Sequence, residues 1–258
     1  MIPLSQNQHK FVRSLQLKKV RDQENRFLVE GVRLCEEVLN SDYQVNYLIF
    51  SENLRQSERT LRLIEKSRAR KLPIYVTKEK KFNTLSDTQT PQGVACVVTK
   101  KEPPADMKSG SLLLGLDAIR DPGNMGTIIR TADWFGIDGI FASADSVDIY
   151  NSKVIRGTMG ALFHVPVKEN VTIYDELNVL KQNNFKIIGT VSEDGIPLGQ
   201  FKKPEKTVLL VGNEARGLNP ELDRIIDSKI CITRKGKGES LNAAIAAGIT
   251  LYHLTKDN

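Results

Sequence analysis

Residues 116–136 read LDAIRDPGNMGTIIRTADWFG. An apolar run ends in a polar turn, and the turn opens into a segment whose residues Met125, Ile128, Ile129, Ala132 and Phe135 recur at helical spacing. Pro122-Gly123 turns the chain, Asn124 is a natural N-cap, and Gly136 is placed to end the helix. Turn and cap chemistry accounts for these residues. It leaves out Arg130, a permanent cation that points away from the apolar stripe. A strand that hands over to a helix at such a junction is the unit of a parallel α/β sheet, where ligands bind beyond the carboxyl ends of the strands.

The same unit recurs along the rest of the chain. SLLLGLDAI, GIDGIFAS, ALFHVPV, FKIIGTV, KTVLLVG and DSKICIT are strand candidates with helical segments between and after them. This alternation predicts an α/β fold with a mostly parallel sheet covered by helices on both faces. A shorter alternation precedes it: RFLVEGVRLCEEVLN, VNYLIF, the charged helix ENLRQSERTLRLIEKSRARK, LPIYVT and GVACVVT. The stretch TKKEPPADMKSGS, with Pro103-Pro104, separates the two. The expected organisation is a small α/β domain over residues 1–100, a linker over 101–110 and a larger α/β domain over 111–258.

Charge divides the chain in the same place. Residues 1–100 carry 18 Lys and Arg against 11 Asp and Glu, whereas residues 101–258 carry 19 against 20. The net charge of +6 therefore arises in the first domain, as expected if that part grips a polyanion. A lysine-rich surface kept for solubility would give the same balance. Three scattered cysteines (Cys35, Cys96, Cys231) fit a reducing cytoplasm, and no apolar run is long enough to span a membrane. His9, His164 and His253 lack metal-ligand spacing, so no metal is expected. No G-x-G-x-x-G follows a strand, which argues against a dinucleotide-dependent oxidoreductase.

Two further junctions share the character of the first. In TVLLVGNEARGLNPEL an apolar strand runs into Gly212, Glu214 and Arg216, before a helix start at Asn219-Pro220-Glu221. In CITRKGKGESLNAAIAAGITLYHL a basic, glycine-bearing loop leads to a helix with Ser240 as its expected cap. That helix is apolar almost all round, which predicts burial in the core or a subunit interface. Asn242 in its first turn either caps or holds a neighbouring loop.

Taken in order, N-x-G-x(3)-R, G-x-E-x-x-G-L and S-L-N before a C-terminal apolar helix resemble the SpoU (TrmH-type) RNA 2′-O-methyltransferases of the SPOUT superfamily. DIYNSKVIRGTMGALFHVPV, with Asn151, Lys153, Arg156 and Gly160, resembles the family's middle segment, and KKVRDQENRFLVEGVRLCEEVL its ribosomal-protein-like RNA-binding domain. The resemblance covers nearly the whole chain. It implies a deep trefoil knot in the C-terminal sheet, S-adenosyl-L-methionine as cofactor, and a homodimer with the site near the subunit interface. It implies that Arg130, Asn124, Glu214, Asn242 and Ser240 build the catalytic site, with Asn124 and Glu214 orienting Arg130. It further implies that Gly212, Ile232 and Leu241 line the cofactor. The sequence departs from the family at Ile232-Thr233-Arg234, where a proline usually follows the isoleucine.

The implied activity is methyl transfer to a ribose 2′-hydroxyl, with ribosomal RNA (23S-type) favoured over transfer RNA, in the cytoplasm. Two alternatives share the fold: a transfer-RNA 2′-O-methyltransferase, and an RNA-binding or ribosome-assembly protein without catalysis. Retention of Asn124, Arg130, Glu214 and Asn242 together favours the enzyme.

Overall fold

A computed structural model describes residues 1–54, 57–102 and 107–256. Pro103-Pro104, the core of the expected linker, lies outside the described residues. In chain order the strands and α-helices are β1 (Ile2–Pro3), α1 (Gln6–Ser14), α2 (Lys18–Glu24), β2 (Arg26–Glu30), α3 (Val32–Asn40), β3 (Val45–Ser51), α4 (Glu58–Ala69), β4 (Ile74–Thr77), α5 (Glu79–Asn83) and β5 (Val94–Thr99). They continue with β6 (Leu112–Leu116), α6 (Pro122–Trp134), β7 (Gly139–Ser143), α7 (Ser152–Thr158), β8 (Val167–Val171), α8 (Ile173–Lys181) and β9 (Lys186–Val191). The last are β10 (Ile196–Pro197), β11 (Thr207–Val211), β12 (Ser228–Cys231) and α9 (Ala243–Thr255).

Contacts divide the chain into two units, Met1–Glu102 with Tyr150–Phe163, and Pro103–Ile149 with His164–Asn258. The return of Tyr150–Phe163 to the first unit is a feature that the linear pattern of strands and helices does not carry.

The first unit holds a mixed five-stranded sheet in the order β1-β4-β3-β5-β2, with β5 antiparallel to both its neighbours. β2 buries Phe27 and Val29 while Arg26, Leu28 and Glu30 stay half-buried, the alternation of a strand with unequal faces. α1 begins with a capping box: Ser5 Oγ accepts from the Gln8 backbone, and Gln8 Oε1 accepts from the Ser5 backbone. Its Val12, with Leu15 just beyond, packs with Phe82 and Leu85 against Ile49, Ala95 and Val97 of the sheet. α1 and α5 therefore lie over the same sheet face.

The second unit holds a seven-stranded sheet in the order β10-β12-β9-β11-β6-β7-β8, with every pairing parallel. Its central strands are apolar throughout because both faces are covered. Leu113, Phe141, Ile187, Val208 and Leu210 form one face with Ile173, Leu177 and Leu180 of α8. Their neighbours Leu112, Leu114, Leu209 and Val211 point the other way and are buried as well. The predicted strand at ALFHVPV forms later: Ala161–Phe163 is a 3-10 turn, and β8 starts at Val167. That apolar run is buried without being a strand, an ambiguity that periodicity cannot resolve in a short segment.

Candidate active site

β6 and β11 are adjacent and parallel, so the loops at their carboxyl ends meet at one sheet edge. Three hydrogen bonds tie these loops together, and a fourth ties the first of them to β7. The Asp117 backbone N–H donates to Val211 O at 2.9 Å, extending the ladder. Asp117 Oδ2 accepts from the Asn219 backbone at 2.7 Å, and Asn213 Nδ2 donates to Ala118 O at 2.9 Å. Ser143 Oγ, at the end of β7, accepts from the Ala118 backbone at 2.8 Å. Ala118 itself has φ +55°, a conformation that costs a non-glycine residue free energy and persists where surrounding bonds hold it. Burial pushes the Asp117 carboxyl up, the Asn219 bond opposes this, and Asp145 adds to the rise.

Gly212 opens the second loop. A Cβ there would overlap the Gly217 carbonyl and the Leu218 nitrogen, because the chain doubles back to pair Asn213 with Gly217. Asn213 Oδ1 accepts from the Ala215 and Arg216 backbones, which rounds the loop and leaves Glu214 at its apex.

Asn124 is not the helix cap expected from the sequence. Asp121 is: its Oδ1 accepts from the Asn124 backbone at 2.8 Å, and Pro122 occupies the first turn. The Asp-Pro pair carried that signal, since proline favours the position right after a cap. The consequence is chemical, because the Asn124 side chain is released from capping. Its Nδ2 donates to Glu214 Oε1, and its Oδ1 accepts from Asn242 Nδ2 at 2.8 Å. Asn242 in turn is the cap of α9, with Oδ1 accepting from Ala244 and Ile245. Both uses weighed for Asn242 thus occur together, whereas Ser240, expected as that cap, stands exposed two residues before it. A chain of side chains, Glu214–Asn124–Asn242, links three segments that are 90 and 118 residues apart in sequence.

Beside Glu214 lies a cleft of about 1240 Å³ whose walls include Gly212, Glu214, Ile232, Ser240 and Leu241. The three residues assigned to the cofactor therefore share one cavity. Its walls mix apolar side chains with glycine-bearing loops, a lining suited to a nucleoside-sized ligand. Among the described residues no group of three or more His, Cys, Asp or Glu side chains could hold a metal. At the departure in the third junction, Arg234 cross-links the loop. Nη2 pairs with Glu193 at 2.7 Å, and Nη1 donates to Gly238 O at 3.2 Å. These exposed contacts contribute little energy but give the loop a tether where the proline is missing.

Arg130 is exposed and makes no hydrogen bond or ion pair among the described residues. Asp121 is occupied as the cap, and Asp133 meets His164 at 3.3 Å. Six residues along a helix carry Arg130 about 240° around the axis from Asn124. Asn124 and Glu214 bond to each other, and the structure does not bring Arg130 to them. α9 buries only one side within the chain. Ala243, Ala247 and Leu251 are buried, but Ile245, Ile249 and Tyr252 are exposed. Trp134 of α6 is 84 % exposed, and Tyr252 reaches the Phe135 ring at 6.2 Å.

Known proteins share this architecture from end to end. Residues 111–252 match the SpoU rRNA Methylase family, and residues 6–96 match an MRM3-like substrate binding domain. The 23S rRNA (guanosine(2553)-2′-O)-methyltransferase RlmP of Bacillus subtilis is 34 % identical over 94 % of this chain and 93 % of its own. The AdoMet-bound rRNA methyltransferase of Sinorhizobium meliloti superposes with a TM-score of 0.84 at 29 % identity, covering 98 % of this chain and 95 % of that one. The SpoU methyltransferase AviRb of Streptomyces viridochromogenes gives 0.86 at 25 % identity, over 96 % and 95 %. The three polar junctions, the parallel sheet that gathers them and the basic unit before it together have one family as their source: the chain belongs to the SpoU rRNA Methylase family.

Proposed function

We propose that this SpoU-family protein is an S-adenosyl-L-methionine-dependent methyltransferase acting on a ribose 2′-hydroxyl of large-subunit (23S-type) ribosomal RNA in the cytoplasm. The observation that carries this reading is the Glu214–Asn124–Asn242 chain at a cleft lined by Gly212, Ile232 and Leu241. The full-length similarity to RlmP supports the choice of RNA. When bound, the cofactor supplies a sulfonium methyl as electrophile, and Gly212, Ile232 and Leu241 would hold it through backbone groups and apolar contact.

The protein's task is then alignment of the hydroxyl with the methyl group, and alignment of this kind accounts for much of the acceleration in two-reactant transfers. Glu214, Asn124 and Asn242 fix the loop apex against the start of α9, while the exposed Ser240 lines the cleft where the ribose would enter. A guanidinium is a planar cationic donor, which suits Arg130 to holding a phosphate or stabilising a developing alkoxide and not to abstracting a proton.

The protein works as a homodimer in this reading. Arg130 and Trp134 are one turn apart on α6, and Phe135, the residue after Trp134, meets the exposed Tyr252 of α9. A second copy that covers Trp134, Ile245 and Tyr252 would receive Arg130 at its own cleft, which fits an Arg130 without a partner among the described residues. The trefoil knot belongs to the same proposal, supported by the placement of β11 between β9 and β6 and by the packing of α9 on α6.

The test is transfer of tritiated methyl groups to a protein-free 23S transcript, followed by mapping of the modified ribose. A single 2′-O-methylated nucleotide is expected. Cofactor binding without transfer to any ribosomal or transfer RNA would overturn the reading in favour of a non-catalytic RNA-binding protein.

A further inference from the structure

Two basic faces compete for the polyanion on the first unit. On α4, Arg59 pairs with Glu36, Arg62 with Glu58, and Lys66 donates to Asn40. Its cations are largely engaged, leaving Arg68, Arg70 and Lys71 at its C-terminal end. The opposite holds for α1 and α5. Lys10, Arg13, Lys78, Lys80 and Lys81 are all exposed, and none makes a side-chain hydrogen bond or ion pair among the described residues. α1 contains no carboxylate, and Glu79 of α5 accepts from Asn53 Nδ2 at 2.9 Å.

These cations form one surface. His9 Nε2 lies 3.1 Å from Lys81 O and 2.9 Å from Thr84 Oγ1, tying α1 to the end of α5. Gln16 Nε2 donates to Leu85 O at 3.3 Å, and the two helices share the core of Val12, Leu15, Phe82 and Leu85. Arg13 follows His9 by one helical turn, so it sits on the side of α1 that faces α5. Clustered ammonium and guanidinium groups without counter-charges repel one another, and a fold keeps such a set only at a cost in stability. An RNA backbone removes that repulsion, because each phosphate takes one cation and releases condensed counterions.

We infer that the α1–α5 face of the first unit is the surface that grips the RNA substrate through its phosphates. The inference rests on the reading of the protein as an RNA methyltransferase and adds where the RNA is held. Phosphate contacts of this kind position the RNA and leave the choice of nucleotide to other contacts.

The experiment measures binding of a 23S transcript to the full-length protein by fluorescence anisotropy across a salt series. It compares Lys10→Gln/Arg13→Gln/Lys80→Gln/Lys81→Gln with Arg68→Gln/Arg70→Gln/Lys71→Gln. Each lost phosphate contact flattens the slope of log affinity against log salt by roughly 0.7 to 0.9. The α1–α5 variant is expected to flatten it by about 2.8 to 3.6 and to weaken binding at least tenfold, with cofactor affinity unchanged by calorimetry. The milder Lys80→Gln/Lys81→Gln variant should lose about half of that slope change. A flattened slope in the α4 variant alone would overturn the choice of face while leaving the RNA reading intact. Unchanged slopes in both variants would overturn the face and the role of the first unit in gripping RNA together.

Discussion

Asn124→Asp changes one atom in the Glu214–Asn124–Asn242 chain and reverses its sense. The amide Nδ2 that donates to Glu214 becomes a carboxylate oxygen facing a carboxylate. The lost bond is to a charged group, worth about 1.5–3 kcal/mol. Two unit charges about 4 Å apart at an effective dielectric near 20 add repulsion of about 4 kcal/mol. Glu214 is only half-buried, so separation of the pair relieves part of this. A negative charge in the first turn of α6 gains back about 0.3–1 kcal/mol from the helix dipole, too little to compensate. The expected net loss near pH 8 is about 3 kcal/mol, which lowers the melting temperature of a chain this size by about 6–12 °C.

The variant's pH dependence separates this cause from simple truncation. As pH falls the paired carboxyls take up one proton, and a protonated carboxyl can again donate across the gap. The carboxyl pair binds its proton more tightly folded than unfolded. Stability is therefore regained at low pH and lost as pH rises through the pair's raised titration. Asn124→Ala loses both bonds at every pH and shows no such recovery. Thermal melts and methyl-transfer rates from pH 5 to 8 check both variants against the wild type. Parallel pH profiles for the two, or wild-type stability of Asn124→Asp at pH 8, would refute the reasoning.

Arg130→Ala should reduce methyl transfer roughly 100-fold while S-adenosyl-L-methionine binds normally by calorimetry; retained activity would remove Arg130 from the chemistry. Gly212→Ala forces the turn at Asn213–Gly217 open and should weaken cofactor binding at least tenfold, whereas Gly199→Ala, with open space around its Cβ, should leave it unchanged. Asp117 has its carboxyl raised by burial, so its protonated form is favoured on folding, and the associated stability falls as pH rises above the ordinary carboxylate range. Asp117→Asn should remove that fall, read as the difference in urea-denaturation free energy between pH 4 and pH 7. Ile245→Glu, placing a charge on the exposed side of α9, should give a monomer by analytical ultracentrifugation with little change in melting temperature.

Much of the architecture was legible because it rests on local rules. Apolar runs such as Thr207–Val211 declare strands buried on both faces, and the Asn219-Pro220 start and the stripe Met125–Ile129–Ala132 declare where helices begin and which side they bury. The charge step near residue 100 likewise follows from composition alone. The resemblance selected Asn124, Glu214 and Asn242 by motif, but no local rule states what their side chains do.

The tertiary structure decided the rest. Cap identity depends on which oxygen reaches which N–H, so Asp121 displaced Asn124, and Asn242 displaced Ser240, by a shift of two or three residues. Asp117 and Asn213, which hold the two loops together, gave no signal because each looks like ordinary turn polarity until β6 and β11 are side by side. The unpaired cations of α1 and α5 were invisible for a related reason, since Lys10 and Lys81 are 71 residues apart and counting charges says nothing about which are already paired. The sequence by itself determined most strands and helices of the parallel sheet, the basic first hundred residues and the residue types at each junction. Only the folded chain decided which of those residues meet, because hydrogen bonds and ion pairs act over a few ångströms of space and not along the chain.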